Sequence, residues 1–325
     1  MRILIATGIY PPRVGGPSQY AKNMKIEWEK NGHEVKVKTF RVEHYLPTGF
    51  RHFYYFLKII PRVLWCDFIF VLDTFSVGWP ATCAGKLFGK KVIVRTGGDF
   101  LWEEYVERSK EPILLKDFYQ VTRKRWSRKE RLIFNITKWV LRNANAIIFS
   151  TKWQRDMWQD PYGLKNIKTF FVENYYGEKE KSFDPTNKVF VASTRPLVWK
   201  NLGALEDIGA IVDLERRSYE ELIDKIAHSY AVILVSLGDI SPNFILDSIR
   251  YNKPFIVTEE NGLMDRIRDV AIIVNPKDPK DIKDKVIWLC NKDNYDNQIK
   301  KIKNFNFTHT WTEIADEIID IWKKI

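Results

Sequence analysis

The amino-acid sequence predicts an α/β protein built as two halves, each a parallel sheet covered by helices on both faces. Three observations carry this. Short apolar runs alternate with segments of helical period along the whole chain. The alternation restarts after a polar, turn-rich stretch, YYGEKEKSFDPTN at 175–187. The 325 residues suffice for two cores of ordinary size. The expected division is 1–175, a linker over 176–187, a second half over 188–308, and a closing helix over 309–325.

RILIATG (2–8) is an apolar run ending in a turn. PSQYAKNMKIEWEKNGH (17–33) places Tyr20, Met24 and Trp28 at helical spacing and ends at Gly32, and EVKVKTF then alternates like a strand. The unit repeats. DFIFVL (67–72), a helix through GWPATCAGKLFG and KVIVRTGG (91–98) form one copy. NAIIFST (145–151), a helix around KWQRDMW and KTFFVEN (168–174) form another. Beyond the polar stretch come KVFVAST, AVILVSL, KPFIVT and AIIVNP, with helices between. HTWTEIADEIIDIWKKI closes the chain with Trp311, Ile314, Ile318 and Ile321 at helical spacing. There is no short-period repeat and no low-complexity tract.

Hydrophobic content of 45% and charged content of 29% indicate a soluble, globular chain. Cys66, Cys83 and Cys290 are far apart and lack metal-ligand spacing, so they read as reduced, buried and inert. The N-terminus lacks the apolar region of a signal peptide. No apolar run approaches the roughly 20 residues of a membrane span. A cytoplasmic location is expected. The net charge of +11 calls for an anionic partner: nucleic acid, lipid head groups or a phosphorylated substrate. VTRKRWSRKERLIFNITKWVLR (121–142) holds eight Lys/Arg against one Glu, interleaved with Trp126, Phe134 and Trp139. One reading is a helix lying on an anionic membrane surface. The other is a core helix whose stripe of Leu132, Ile136, Trp139 and Val140 packs inside. Nucleic acid is not expected as a partner, because no recognised binding motif accompanies the basic residues.

Four stretches carry candidate chemistry. In VSLGDISPNFILDSIRYNKPFIVT (235–258), Ser241 suits an N-cap and Pro242 the first helical position, giving a helix to about Tyr251. The N–H groups of Asn243, Phe244 and Ile245 then form an anion site at a strand's carboxyl end. Asp239 and Asp247 flank it, as suits a ligand with hydroxyls on either side of a phosphate. The alternative is a loop residue and a solvated helix position. In STRPLVWKN (193–201), Arg195 and Lys200 fall on a loop after a strand, on the usual ligand side of an open sheet, where two cations could clamp a diphosphate. Two solvated loop cations are the alternative. In GIYPPRVGGPSQY (8–20), Gly15 and Gly16 precede a helix, where glycine lets backbone approach a ligand, or merely makes a turn. No dinucleotide fingerprint is present there. In RTGGDFLWEEY (95–105), Asp99 either accepts a ligand hydroxyl or caps the next helix.

Taken in order, YPPRVGG, RPLVWK, DISPNFILD, SIRYNKPFIVT, ENG and AIIVNPKDPKDI resemble the family 4 retaining glycosyltransferases. The resemblance covers nearly the whole chain. It implies the GT-B fold, two Rossmann-like domains facing across a cleft, with the C-terminal helix returning to the first. It implies transfer of a sugar from a nucleotide-sugar to an acceptor hydroxyl with retention, in cell-envelope polysaccharide or glycolipid synthesis. No cofactor or metal is expected beyond the donor substrate. Arg195 and Lys200 would bind the donor diphosphate, Asp239 the transferred sugar and Asp247 the ribose. The 241–243 backbone (Ser241, Pro242, Asn243) would touch sugar and phosphate, and Gly15 and Gly16 would approach the reacting centre. Asp99 falls where many relatives carry histidine. Two departures stand out. Both carboxylates of the motif are aspartates rather than glutamates. Only about 38 residues separate Lys200 from Asp239, which implies a shortened second domain. Two other functions stay open: a non-catalytic binding or partner protein with a degenerate donor site, and a sugar-nucleotide epimerase.

Overall fold

The computed structural model describes residues 1–325 except Val14, Arg41, Ser193 and Thr194, and the side chains of His44 and Thr48. In chain order the elements are β1 (Arg2–Thr7), α1 (Gly16–Lys30), β2 (Glu34–Thr39), α2 (Thr48–Trp65), β3 (Phe68–Val71), α3 (Gly78–Leu87), β4 (Lys91–Arg95), α4 (Phe100–Ser109), α5 (Phe118–Val121), α6 (Arg128–Asn143), β5 (Ala146–Phe149), α7 (Lys152–Tyr162) and β6 (Thr169–Phe171). There follow β7 (Val189–Val191), β8 (Ile211–Asp213), α8 (Tyr219–His228), β9 (Ala231–Leu234), α9 (Asn243–Arg250), β10 (Phe255–Thr258), α10 (Met264–Ile267), β11 (Ile272–Val274), α11 (Pro279–Cys290), α12 (Lys292–Lys303) and α13 (Trp311–Lys323). The chain divides into two compact units. One comprises Met1–Gly98, Trp126–Tyr175 and His309–Ile325; the other comprises Asp99–Arg125 and Tyr176–Thr308.

The first unit holds a sheet in the order β2-β1-β3-β4-β5-β6, all parallel. The predicted helical spacing is realised in α1: Tyr20, Met24 and Trp28 are buried against Phe68 and Phe70. The closing helix α13 joins this same core through Ile314, Ala315 and Ile318, and Trp28 Nε1 donates to the Ala315 carbonyl at 3.1 Å. Burial of each such side chain stabilises the unit by about 1.5–3 kcal/mol. A capping box of Thr310 and Glu313 starts α13. The helix α2 was not legible in the sequence. It buries Tyr55, Ile59 and Val63 and exposes Phe53, Leu57 and Leu64, so its apolar face is wider than the part that packs on the core.

In the second unit the order is β11-β10-β9-β7-β8, again parallel. Read from its own first strand, this is the winding of the first sheet less one outer strand. The second sheet thus has five strands against six in the first. The three-residue strand β8 was not predicted as a separate element in the stretch between Lys200 and α8. The 176–187 stretch is fastened to this unit rather than loose. Lys179 Nζ donates to the carbonyls of Ile249 (2.9 Å) and Ile302 (2.8 Å), and Lys253 Nζ to that of Phe183 (2.6 Å).

The sequence division kept 1–175 as one body; contacts group Asp99–Arg125 with the second unit. Leu115 N–H donates to the Leu237 carbonyl at 3.1 Å, and Val198 N–H to Glu107 Oε1 at 2.7 Å. Trp102 packs on Trp199 with ring centres 5.5 Å apart. Such long-range partners leave no periodic trace in sequence.

The three cysteines are free. Cys66 is buried and its thiol is pushed up to about 11, chiefly by burial, while Cys83 and Cys290 are half-buried rather than buried as expected. No helix among the described residues is long and apolar enough to cross a membrane.

Candidate functional site

The second sheet reverses its strand order between β7 and β9, and the loops leaving the carboxyl ends of those two strands carry most of the predicted site. In open parallel sheets this reversal point is where ligands bind, because the loops on either side diverge and leave a crevice.

After β7, Ser193 and Thr194 lie outside the described residues. The chain then makes a 3₁₀ turn over Val198–Lys200, and Asn201 takes a left-handed conformation, φ 57°. The Asn201 amide pins that turn by donating to the carbonyls of Val235 (3.1 Å) and Pro276 (2.7 Å). Buried Trp199 anchors it from inside, and its carbonyl accepts from Leu237 N–H at 2.8 Å. Lys200 Nζ is thereby held 4.2 Å from the Trp199 ring centre and 2.7 Å from Asp239 Oδ2. Both charged side chains are mostly buried, 12% and 16% exposed, so water screens the pair little. Arg195 is exposed at the start of the loop.

After β9, the backbone of Asp239 is clamped to the loop after β10. Its N–H donates to the Glu260 carbonyl (2.9 Å) and its carbonyl accepts from Gly262 N–H (3.1 Å). Pro242 follows as the N-cap of α9, and Asn243 is the first helical residue. This corrects the predicted cap by one position. Pro242 has ψ 105°, which is not helical, so Ser241 lies outside the helix and no side chain caps it. A second correction concerns Ile245, whose N–H bonds the Pro242 carbonyl at 3.0 Å. Among the described residues no backbone acceptor takes the N–H groups of Asn243 and Phe244. Two donors rather than three therefore open the helix.

Lys200, Leu234, Asp239, Ser241, Pro242, Asn243 and Phe244 line one cavity of about 180 Å³. Five predicted site residues thus meet at one place. Asp247 is not among the lining residues. It sits further along α9, half-buried, accepting from the Tyr219 hydroxyl at 3.1 Å. Burial pushes its carboxyl up to about 6, against the opposing pull of Tyr219 and Arg250. It is not the solvated helix position that was the alternative.

Asp99 is the N-cap of α4. One carboxylate oxygen accepts from Trp102 N–H (3.0 Å), the other from the Tyr119 hydroxyl (2.6 Å), and the residue is 2% exposed. The capping role is therefore present, and both carboxylate oxygens already have a protein donor. Gly15 and Gly16 belong to the first unit, where Gly15 is the N-cap of α1. A Cβ on Gly15 would come within 2.8 Å of Ile9 Cδ1.

Sequence reasoning missed the α4 side of the site. Asp99, Glu103 and Glu107 are spaced four apart and so share one helix face. Glu107 bonds the Arg195–Lys200 loop directly, as noted above. Glu103 is flanked by Arg195, Lys200, Asp99 and Asp239, and burial pushes its carboxyl up to about 7 in spite of the two cations. Lys116 pairs with buried Glu260 on the loop that also clamps Asp239. The four-residue spacing of the acids was visible in the sequence; their target was not. Among the described residues no cluster of three His, Cys, Asp or Glu side chains could hold a metal ion.

No family model matches the chain, and no curated protein matches it in sequence. Solved structures do match. Sucrose-phosphate synthase from Thermosynechococcus elongatus superposes with a TM-score of 0.71 at 10% identity, over 100% of this chain and 99% of that one. HepE from Anabaena in complex with UDP gives 0.68 at 10% identity, over 100% of both chains. The catalytic domain of starch synthase IV from Arabidopsis thaliana, bound to ADP and acarbose, gives 0.65 at 10% identity, over 99% and 98%. The fold is α/β with two Rossmann-like units, the GT-B fold of these glycosyltransferases.

Proposed function

We propose that the protein is a nucleotide-sugar-dependent glycosyltransferase that transfers a hexosyl group to an acceptor hydroxyl with retention, in cell-envelope polysaccharide or glycolipid synthesis. The observation that carries this reading is the meeting of Lys200, Asp239 and the N-terminus of α9 in one cavity at the strand-order reversal. Lys200, Arg195 and the N–H groups of Asn243 and Phe244 hold the donor diphosphate. Asp239 accepts hydroxyls of the transferred sugar, giving up part of its bond to Lys200 as the diphosphate takes over that cation. Asp247 serves the ribose, with Tyr219 orienting its carboxyl.

In the reaction the anomeric C–O bond to the diphosphate breaks and a C–O bond to the acceptor forms on the same face. The acceptor proton passes to the departing diphosphate oxygen. Negative charge grows on the diphosphate in the transition state, so fixed positive potential there is the main protein contribution. Loss of one such donor costs about 2.7–4 kcal/mol in other enzymes. No metal or cofactor is required in this reading.

The acceptor is lipid-linked or glycan. A membrane role for residues 121–142 is supported by α6, which buries Ile133, Phe134 and Val140 but exposes Leu132 and Trp139 beside Arg128, Lys129 and Arg131. Two of the four residues expected in the buried stripe thus face solvent among cations, as a helix lying on anionic lipid would place them. The protein would then work as a peripheral enzyme on the cytoplasmic face.

A binding protein without turnover is favoured by one observation: Lys200 is already satisfied by Asp239. Thermal stability against a panel of nucleotide-sugars separates the readings. A donor at 100 times its Kd stabilises the native state by about 2.7 kcal/mol. The proposal expects such a shift with one donor, its loss in Arg195→Ala, and product formation with an acceptor. Binding without product points to the non-catalytic reading, and product without acceptor to an epimerase. No shift with any donor overturns the assignment.

A further inference from the structure

We propose that Glu103 is a member of the diphosphate pocket that must carry a proton for the donor to bind. This rests on the donor-site reading of the preceding subsection and adds to it a residue and a protonation state.

The placement comes from α4. Glu103 lies one turn from the cap residue Asp99 and one turn from Glu107, on the same helix face. Glu107 Oε1 accepts from Val198 N–H at 2.7 Å, and Trp102 packs on Trp199. These two contacts lay that face of α4 along the Arg195–Lys200 loop. Leu115 N–H bonded to the Leu237 carbonyl ties the segment after α4 to the Asp239 loop as well. Glu103 therefore lies close enough to Arg195, Lys200 and Asp239 for their charges to act on it, next to the residues that line the cavity.

The charge count shows what this position demands. The groups around Glu103 are Arg195 and Lys200, both cationic, and Asp99 and Asp239, both carboxyls. With the two acids ionised these four sum to zero. An ionised Glu103 would leave the pocket with one net negative charge facing a ligand that brings two more. A protonated Glu103 keeps the pocket neutral and offers an O–H donor to a phosphate oxygen. Burial acts in the same direction, holding the carboxyl at about 7 even beside Arg195 and Lys200. Glu107 is engaged with Val198, and Asp99 with Trp102 and Tyr119.

The test is donor affinity against pH, by calorimetry, with the nucleotide-sugar found in the panel. A nucleotide-sugar suits the test because its two phosphate charges do not change between pH 6 and 8. With Glu103 titrating at about 7 and protonated in the complex, Kd rises about tenfold from pH 6 to pH 8. Glu103→Gln keeps the shape and a hydrogen-bond donor but cannot ionise. Its Kd should change less than twofold over that range and be about tenfold tighter than the parent's at pH 8. Asp247 also titrates in this region, and any slope left in Glu103→Gln reads its contribution. A merely structural role would alter affinity at every pH alike and leave the slope. Equal Kd at both pH values for the parent, or the parent's slope retained in Glu103→Gln, overturns this inference and leaves the donor site standing. No donor binding by the parent at either pH removes the donor site and this inference together.

Discussion

Removing the negative partner of Lys200 should weaken the fold and strengthen binding of simple anions at the same time. The perturbation is Asp239→Asn, which keeps the side-chain volume and removes the charge. The Lys200–Asp239 pair is 2.7 Å long, and its side chains are 12% and 16% exposed. Fully exposed pairs contribute about 0–1 kcal/mol. Removing one partner from a fully buried pair costs about 3–5 kcal/mol. This pair lies between the two, and a hydrogen bond to a charged group contributes about 1.5–3 kcal/mol. A coupling of about 2 kcal/mol is therefore expected. A double-mutant cycle with Lys200→Met isolates it, read as the shift in the unfolding of the second unit by urea. The same Asp239→Asn protein should bind inorganic pyrophosphate at least about tenfold more tightly, since Lys200 no longer has to leave a carboxylate. Coupling below about 0.5 kcal/mol, the additivity limit for independent sites, together with unchanged pyrophosphate affinity would refute the reasoning.

Other consequences follow from the same geometry. Gly238→Ala places a Cβ 2.4 Å from Leu115 Cβ, so the 99–125 segment must shift, and thermal unfolding should show a loss of about 1–3 kcal/mol. The Asp247 carboxyl is raised to about 6, so the folded state holds its proton more tightly than the unfolded one, and its contribution to stability falls as pH rises from about 4 to 6. Asp247→Asn lacks that loss, so its stability relative to the parent should rise by about 2 kcal/mol between pH 4 and 7 in denaturant titrations. Replacing Leu132 and Trp139 together by Ser should lower co-sedimentation with anionic vesicles by about tenfold or more. Binding by the unsubstituted protein should weaken with salt, and binding to neutral vesicles alone would count against a membrane role for α6.

The strands and the helices with one buried face were readable because burial imposes a period. Trp28 and Ile318 sit where the spacing of α1 and α13 puts them. Two elements escaped: α2, whose apolar face extends over exposed Phe53, Leu57 and Leu64, and β8, a short strand whose outer residue Ile211 is exposed. The cap of α9 slipped by one because Pro242 suits both the N-cap and the first helical position by composition, and only its ψ decides. Lys200, Asp239 and the 241–243 backbone could be assembled from sequence since each lies on the loop leaving a strand's carboxyl end, and a parallel sheet brings those ends together. Asp99, by contrast, looked the same in sequence as ligand or cap. Tyr119, twenty residues on, donates to one of its oxygens, and Val198 is the partner that fixes the face holding Glu103. Such partners are set by tertiary contact and carry no local signature.

The central claim is that a nucleotide-sugar places its diphosphate between Lys200 and the N-terminus of α9. A crystal structure of the complex with the donor identified in the panel tests it most directly. Phosphate oxygens should lie within hydrogen-bond distance of the Asn243 and Phe244 N–H groups and of Lys200 Nζ, with sugar hydroxyls on Asp239. A donor bound elsewhere, with the Lys200–Asp239 pair still closed, would contradict it.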